Sequence, residues 1–259
     1  MPTFGLCTAI KDAKVLADAG FDYVEPSVQQ YLRGETADDD YEREASDVLP
    51  APACNMLVPG HLKVTGPERD ASKLETYMER VLRRAGEAKV ETLVFGSGAA
   101  RMIPDGFDRD EARSQILGFL RLIGPIAQRH GVVVVIEPLN RGECNVLNGV
   151  AESMTYVREV DHPHVKCLVD SYHHWLEKEP IGDIADAGGD IAHVHVADEH
   201  GRRVPGKGTA PNPASYEDFF RPLKHNGYDG RISIEGNWQQ DAEALGEALD
   251  LIRRAWDAA

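Results

Sequence analysis

Short apolar runs alternate with longer amphipathic stretches along all 259 residues of the chain, and that alternation limits its fold more than any other feature. The runs are Thr3–Cys7, Asp22–Glu25, Ala53–Val58, Thr92–Phe95, Val132–Ile136, Val165–Val169, Ile191–Val196 and Arg231–Ile234. Their brevity and apolar character suit strands buried in a parallel sheet. The stretches between them carry the helical period. In the clearest, Leu74, Tyr77, Met78, Val81, Leu82, Ala85 and Ala88 share one face, with Arg80, Arg83, Arg84 and Glu87 assigned to the other. Leu245, Ala248, Leu249, Ile252 and Trp256 repeat the pattern near the C-terminus. Gly131 supplies a helix stop ahead of a strand. Eight such units of about 32 residues, joined by right-handed crossovers, predict an α/β fold of the (β/α)8 TIM barrel type. One domain is expected over residues 1–259. An open doubly wound sheet is the alternative, but it would carry a Gly-rich phosphate turn after its first strand. None follows Cys7.

Charge narrows the function. With 43 acidic and 28 basic residues the formal charge is −15, which argues against nucleic acid or an anionic membrane as partner. The cysteines, Cys7, Cys54, Cys144 and Cys167, form no CxxC pair, so neither a zinc knuckle nor a thioredoxin-like site is supported. Separated thiols in a chain able to bury a full core suit a reducing compartment. Met1–Gly5 lacks the basic start and apolar run of a signal peptide. The longest apolar run, Val132–Ile136, is too short to span a bilayer. A cytoplasmic protein is expected. Asp38-Asp39-Asp40 reads as a solvated helix start.

Barrel enzymes place their chemistry where strands end, at the C-terminal face. The fifth run is followed by Glu137-Pro138-Leu139-Asn140, and the sixth by Asp170-Ser171-Tyr172-His173. The seventh contains His193 and His195, and the eighth is followed by Glu235-Gly236. Four consecutive strands therefore end on Glu137, Asp170, His195 and Glu235. Three carboxylates gathered at one barrel mouth repel unless something neutralises them. A divalent metal does so, and a mainly oxygen donor set favours Mn²⁺, with Mg²⁺ or Co²⁺ as alternatives. His193 and His195 face the same way, being two apart on a strand. His195 is preferred as ligand because it lies nearer the mouth, and His193 reads as a core residue.

These segments carry a family resemblance. Ile136-Glu137-Pro138-Leu139-Asn140-Arg141-Gly142-Glu143, Val169-Asp170-Ser171-Tyr172-His173, His193-Val194-His195-Val196-Ala197-Asp198, Arg202-Arg203-Val204-Pro205-Gly206 and Ile234-Glu235-Gly236 resemble the xylose-isomerase-like sugar isomerase/epimerase superfamily, and especially ketose 3-epimerases. The resemblance implies a divalent ion on Glu137, Asp170, His195 and Glu235, with Glu137 and Glu235 as the proton-transfer pair. It also implies substrate contacts from Glu143, His173 and an arginine after the seventh strand. One residue is inserted there, at Gly201, and Pro205-Gly206 sets a register that points to Arg202, with Arg203 as the alternative. A homodimer or homotetramer is implied as well.

The implied chemistry suits these residue types. A hydrogen beside a carbonyl is a weak acid, so its removal needs charge stabilisation on the neighbouring oxygens and a positioned base. Epimerisation through a cis-enediolate needs carboxylates on two sides of the planar intermediate. The expected function is a metal-dependent isomerase or epimerase acting on a keto sugar or polyol ketone. The alternative is a lyase of the inosose or 3-dehydroshikimate dehydratase type, which begins with the same proton abstraction. An abasic-site endonuclease would need more histidine ligands and a basic face, and a non-catalytic sugar-binding barrel would not need both glutamates. Gly96-Ser97-Gly98 reads as an ordinary turn, Gly206-Lys207-Gly208 as a mobile lid, and Trp175 and Trp238 as either site wall or core. Glu25 is left open between substrate contact and structural pairing.

Overall fold

The computed structural model describes residues 1–259. In chain order its elements are β1 (Thr3–Cys7), α1 (Ala13–Ala19), β2 (Tyr23–Glu25), α2 (Val28–Tyr31), β3 (Ala53–Cys54), α3 (Ala71–Ala88), β4 (Thr92–Phe95), α4 (Gly98–Arg101), α5 (Arg109–Arg129), β5 (Val133–Ile136), α6 (Val150–Val160), β6 (Val165–Asp170), α7 (Ser171–Glu177), α8 (Gly182–Ala187), β7 (Ile191–Val196), α9 (Tyr216–His225), β8 (Arg231–Ile234) and α10 (Leu245–Ala258). All strand pairs are parallel, in the order β2, β1, β8, β7, β6, β5, β4, β3. Between β2 and β3 the only ladder contact is the single bridge Ser27–Asn55, so the TIM barrel is nearly closed. The third strand stops short of the expected Val58. Met56 adopts a left-handed φ of 55°, which turns the chain out of the ladder after Cys54.

Side chains alternate in and out along each strand, so the barrel interior is built in layers. Val94, Val135 and Leu168 pack together inside the barrel, and the far side holds His193, which pairs with Leu168, and Ser233, which pairs with His195. Two residues on, the layer at the mouth holds Glu25, Gly96, Glu137, Asp170, His195 and Glu235. A register irregularity between Cys167 and Leu168 is needed for this arrangement. Before it Cys167 pairs with Ile191; after it Leu168 pairs with His193 and Asp170 with His195. Without that one-residue shift Asp170 would sit level with Val194, and the two inward faces would be out of step.

One helix face departs from expectation. Arg84 of α3, assigned to the solvated face, is only 1% exposed. Its guanidinium donates to the carbonyl oxygens of Leu32, Arg33 and Thr36 and to Asp38, and lies 3.7 Å from the Tyr41 ring centre. Its aliphatic stem continues the apolar stripe while its head satisfies a loop's carbonyls. Asp38–Asp40 forms a 3-10 turn, and Asp38 also pairs with Arg83 at 2.6 Å. No helix is long and apolar enough to cross a membrane, and all four cysteines are free.

Candidate metal centre and active site

Glu137 follows β5, Asp170 ends β6, His195 lies within β7, and Glu235 follows β8. One donor atom from each can be chosen so that all four lie within 4.8 Å of one another. His195 Nδ1 stands 3.2 Å from Glu137 Oε1 and 3.3 Å from Glu235 Oε2. Asp170 Oδ1 accepts from the Tyr172 amide at 2.7 Å, whereas its buried Oδ2 has no partner.

The electrostatics show what this crowding costs. Burial, reinforced by the Glu235 charge, pushes the Asp170 carboxyl up to about 7. The same two causes raise Glu137. Burial alone would raise Glu235 too, but Arg202 and then His195 outweigh it and hold that carboxyl well below the usual range. Three carboxylates, one imidazole and an orphaned buried oxygen are what a hard divalent cation requires, and the residues fit such an ion.

The expected substrate contacts surround the same point. His173 Nδ1 accepts from the Asn140 backbone amide at 3.1 Å and lies 2.9 Å from Asn140 Nδ2. That assigns the ring proton to Nε2, which has no partner and lies 4.0 Å from Asp170 Oδ2. Burial, then the Arg202 charge, pushes the imidazole down to about 3, so it is a neutral donor facing the cluster. Arg202 Nη2 donates to Glu235 Oε2 at 2.6 Å and Nη1 to Glu143 Oε1 at 3.3 Å. Glu143 also accepts from Asn140 Nδ2 at 2.9 Å. Left-handed φ angles at Gly201 and Arg202 absorb the inserted residue and turn Arg202 inward. Arg203 points elsewhere, onto Asp241. Glu137, Glu143, Arg202 and Glu235 line a cavity of about 330 Å³. Larger cavities of about 790 and 710 Å³ lie on the barrel flank and hold none of these side chains, so size does not mark the site here.

Further residues surround and support the site. A Cβ on Gly96 would fall 2.1 Å from Glu137 Oε2, so only glycine leaves that carboxylate its place. Gly96-Ser97-Gly98 is thus a turn, but one that the site requires. Arg101, fully buried, donates to the carbonyl oxygens of Phe95 and Glu137 at 2.6 and 2.7 Å and ties the ends of β4 and β5 together. Asn55 Nδ2 donates to Glu235 Oε1 at 3.3 Å. Glu25 pairs with both strand histidines and not with the cavity. Trp175 packs in the core against Tyr216 and Phe219, and Trp238 is partly buried against the same core. The segment expected as a mobile lid is anchored: the Gly208 amide donates to Asp198 at 2.7 Å and Lys207 pairs with Glu247 at 2.8 Å. Gly96→Ala is expected to displace Glu137 and weaken divalent-metal binding by about ten- to a hundredfold, the scale seen when a ligand's support is disturbed. Calorimetric titration with Mn²⁺ checks this, and unchanged affinity would free Glu137 from that constraint.

Comparison with known proteins identifies the family of this fold. A family model described as "Xylose isomerase-like TIM barrel" matches residues 13–255. The chain belongs to the xylose isomerase-like TIM barrel family. It is 30% identical over 186 residues to 3-dehydro-D-guloside 4-epimerase of Escherichia coli K12, covering 70% of this chain and 69% of that one. It is 33% identical over 117 residues to D-psicose 3-epimerase of Ruminiclostridium cellulolyticum, there covering 45% of this chain and 38% of the relative. The crystal structure of a 3-keto-D-glucoside 4-epimerase from E. coli superposes with a TM-score of 0.80, 98% of this chain on 100% of that one, at 23% identity. At that identity the superposition speaks for the fold alone. The sequence relatives are sugar epimerases, which supports an enzyme of that general kind.

Proposed function

We propose that this chain is a divalent-metal-dependent epimerase or isomerase of a keto sugar, moving a proton on the carbon next to the carbonyl. The observation that carries the reading is the pair Glu137 and Glu235, both within 3.3 Å of one imidazole nitrogen. Their strands are separated in the sheet by β6 and β7, so the two carboxylates reach the cavity from different sides. An ion held by Glu137, Asp170, His195 and Glu235 would stabilise negative charge developing on the substrate oxygens, and the donor set favours Mn²⁺ over Mg²⁺ or Co²⁺.

The chain's own residues then have separate tasks. One glutamate takes the proton from one face of the substrate and the other returns a proton to the opposite face. Their roles exchange when the reaction runs backwards. Arg202, already paired to Glu235 and Glu143, and the neutral Nε2–H of His173 hold substrate oxygens and fix which carbon faces the glutamates. Substituting either by Ala is expected to lower kcat/KM by roughly ten- to a hundredfold, as loss of a charged or buried hydrogen bond implies. Metal occupancy stays unchanged, because neither is a ligand. Arg203→Ala is the control. If it is the crippled variant while Arg202→Ala is normal, the substrate grip belongs to Arg203.

The test is a panel of ketoses, keto-glycosides, inososes and dehydroshikimate incubated with Mn²⁺-loaded enzyme in D₂O. One solvent deuterium beside a carbonyl and an isomeric product are expected. Loss of water would assign the lyase reaction instead. Incorporation into none of them would remove the proposed activity. The relatives named above are epimerases, which supports the outcome without dehydration. We place the enzyme in the cytoplasm, as a homodimer or homotetramer.

A further inference from the structure

Glu25, at the end of β2, is the one carboxylate of the mouth layer outside the four-residue cluster. It is fully buried. Oε1 accepts from His195 Nε2 at 3.0 Å, and Oε2 from His193 Nε2 at 2.8 Å and Ser233 Oγ at 2.5 Å. Ser233 Oγ lies 2.7 Å from the Tyr23 hydroxyl. Gly5 makes room for that phenol, since a Cβ there would lie 2.2 Å from its ring. This polar network fills the β1, β2, β7 and β8 side of the interior, whereas Val94, Val135 and Leu168 fill the other. A buried ionic network gains little stability over apolar packing of the same volume. The polar half of the barrel therefore needs an explanation other than stability.

We infer that Glu25 is a positioning residue that fixes the ring orientation and tautomer of His195. The inference rests on the reading of His195 as a metal ligand. A carboxylate accepts hydrogen bonds and does not donate them. The bond from Nε2 to Glu25 therefore places the ring proton on Nε2 and leaves the Nδ1 lone pair facing Glu137 and Glu235. His193 and Ser233 hold the second carboxylate oxygen, so the group does not rotate away. The His193 ring stands edge-on to His195, centroids 5.0 Å apart at 77°, and packs against the orientation so chosen. Histidines that bind metals commonly donate their other ring N–H to a carboxylate, and the pair is worth ten- to a hundredfold in affinity. Glu25 was ambiguous in the sequence because its partners come from strands about 170–210 residues away.

Zn²⁺, which is diamagnetic, serves as the probe, with the full-length protein labelled with ¹⁵N-histidine. Wild type is expected to bind one equivalent and to show a protected His195 Nε2 proton. In Glu25→Gln the proton signal shifts or broadens, and affinity falls by about ten- to a hundredfold. Unchanged affinity with an unchanged His195 signal in a folded Glu25→Gln would overturn the inference. Binding of two equivalents by wild type and one by the variant would also overturn it, because Glu25, His193 and His195 would then form a metal site themselves. If Glu25→Gln does not fold, Ser233→Ala decides. It loosens Glu25 without touching His195 and is expected to weaken Zn²⁺ by about three- to tenfold, the scale of one hydrogen bond. No change in affinity or in the His195 signal would again count against the role. These readouts need no substrate, so they stand or fall separately from the proposed activity.

Discussion

Replacing Glu235 with Gln is expected to lower kcat by about 10²–10⁴-fold, the usual worth of a positioned acid or base, with a much smaller change in KM. The substitution keeps the size and shape of the side chain and removes its charge. Arg202, which now donates to Glu235 Oε2 at 2.6 Å, loses an ionic partner but keeps Glu143. Glu137→Gln is expected to act on the same scale, since in the proposed transfer one carboxylate removes a proton and the other delivers one in each turnover. Metal content has to be measured in both variants, because each residue is also proposed as a ligand. Near-normal kcat at full metal occupancy would remove that glutamate from the proton transfer. Loss of metal alone, with activity restored by excess Mn²⁺, would leave it a ligand only.

Stripping divalent ions with a chelator is expected to abolish turnover, and adding Mn²⁺ to restore it. In the metal-free protein Asp170 carries the cost of the crowded site, its carboxyl pushed up to about 7 by burial and then by Glu235. A ligand must be ionised to hold a cation, so binding displaces protons. Affinity is therefore expected to fall as pH drops through about 7, and proton release to be measurable there. The ion is also expected to bind the folded chain alone. At a free concentration a hundred times Kd it adds about 2.7 kcal/mol. At about 2–4 °C per kcal/mol, typical of chains this long, Tm should rise by roughly 5–10 °C. Calorimetry in buffers of different ionisation enthalpy, with thermal melts at two pH values, checks both statements. Turnover that survives thorough chelation would contradict the metal's place in the reaction.

The strands were legible because each is buried on both faces and so reads as a short unbroken apolar run, such as Val133–Ile136. The strand-end carboxylates were legible for a related reason, since a charge directly after such a run must sit at the mouth. Interactions that cross the barrel were not. The register shift at Cys167 leaves no local signal, yet it sets Asp170 level with His195. Gly96 looks like any turn glycine until Glu137 Oε2 is seen where its Cβ would be. Arg84 continues a charged face by helical spacing and is buried only because a loop some fifty residues earlier offers it three carbonyls. The choice of Arg202 over Arg203 depended on two left-handed residues that absorb an insertion, which spacing alone could suggest but not place.

Glu137, Asp170, His195 and Glu235 are proposed to share one divalent ion. Anomalous diffraction from Mn²⁺-loaded crystals tests it most directly. A single strong peak is expected at the barrel mouth, within about 2.0–2.6 Å of a donor atom from each of the four residues. A peak elsewhere, or one that two of these side chains turn away from, would contradict it.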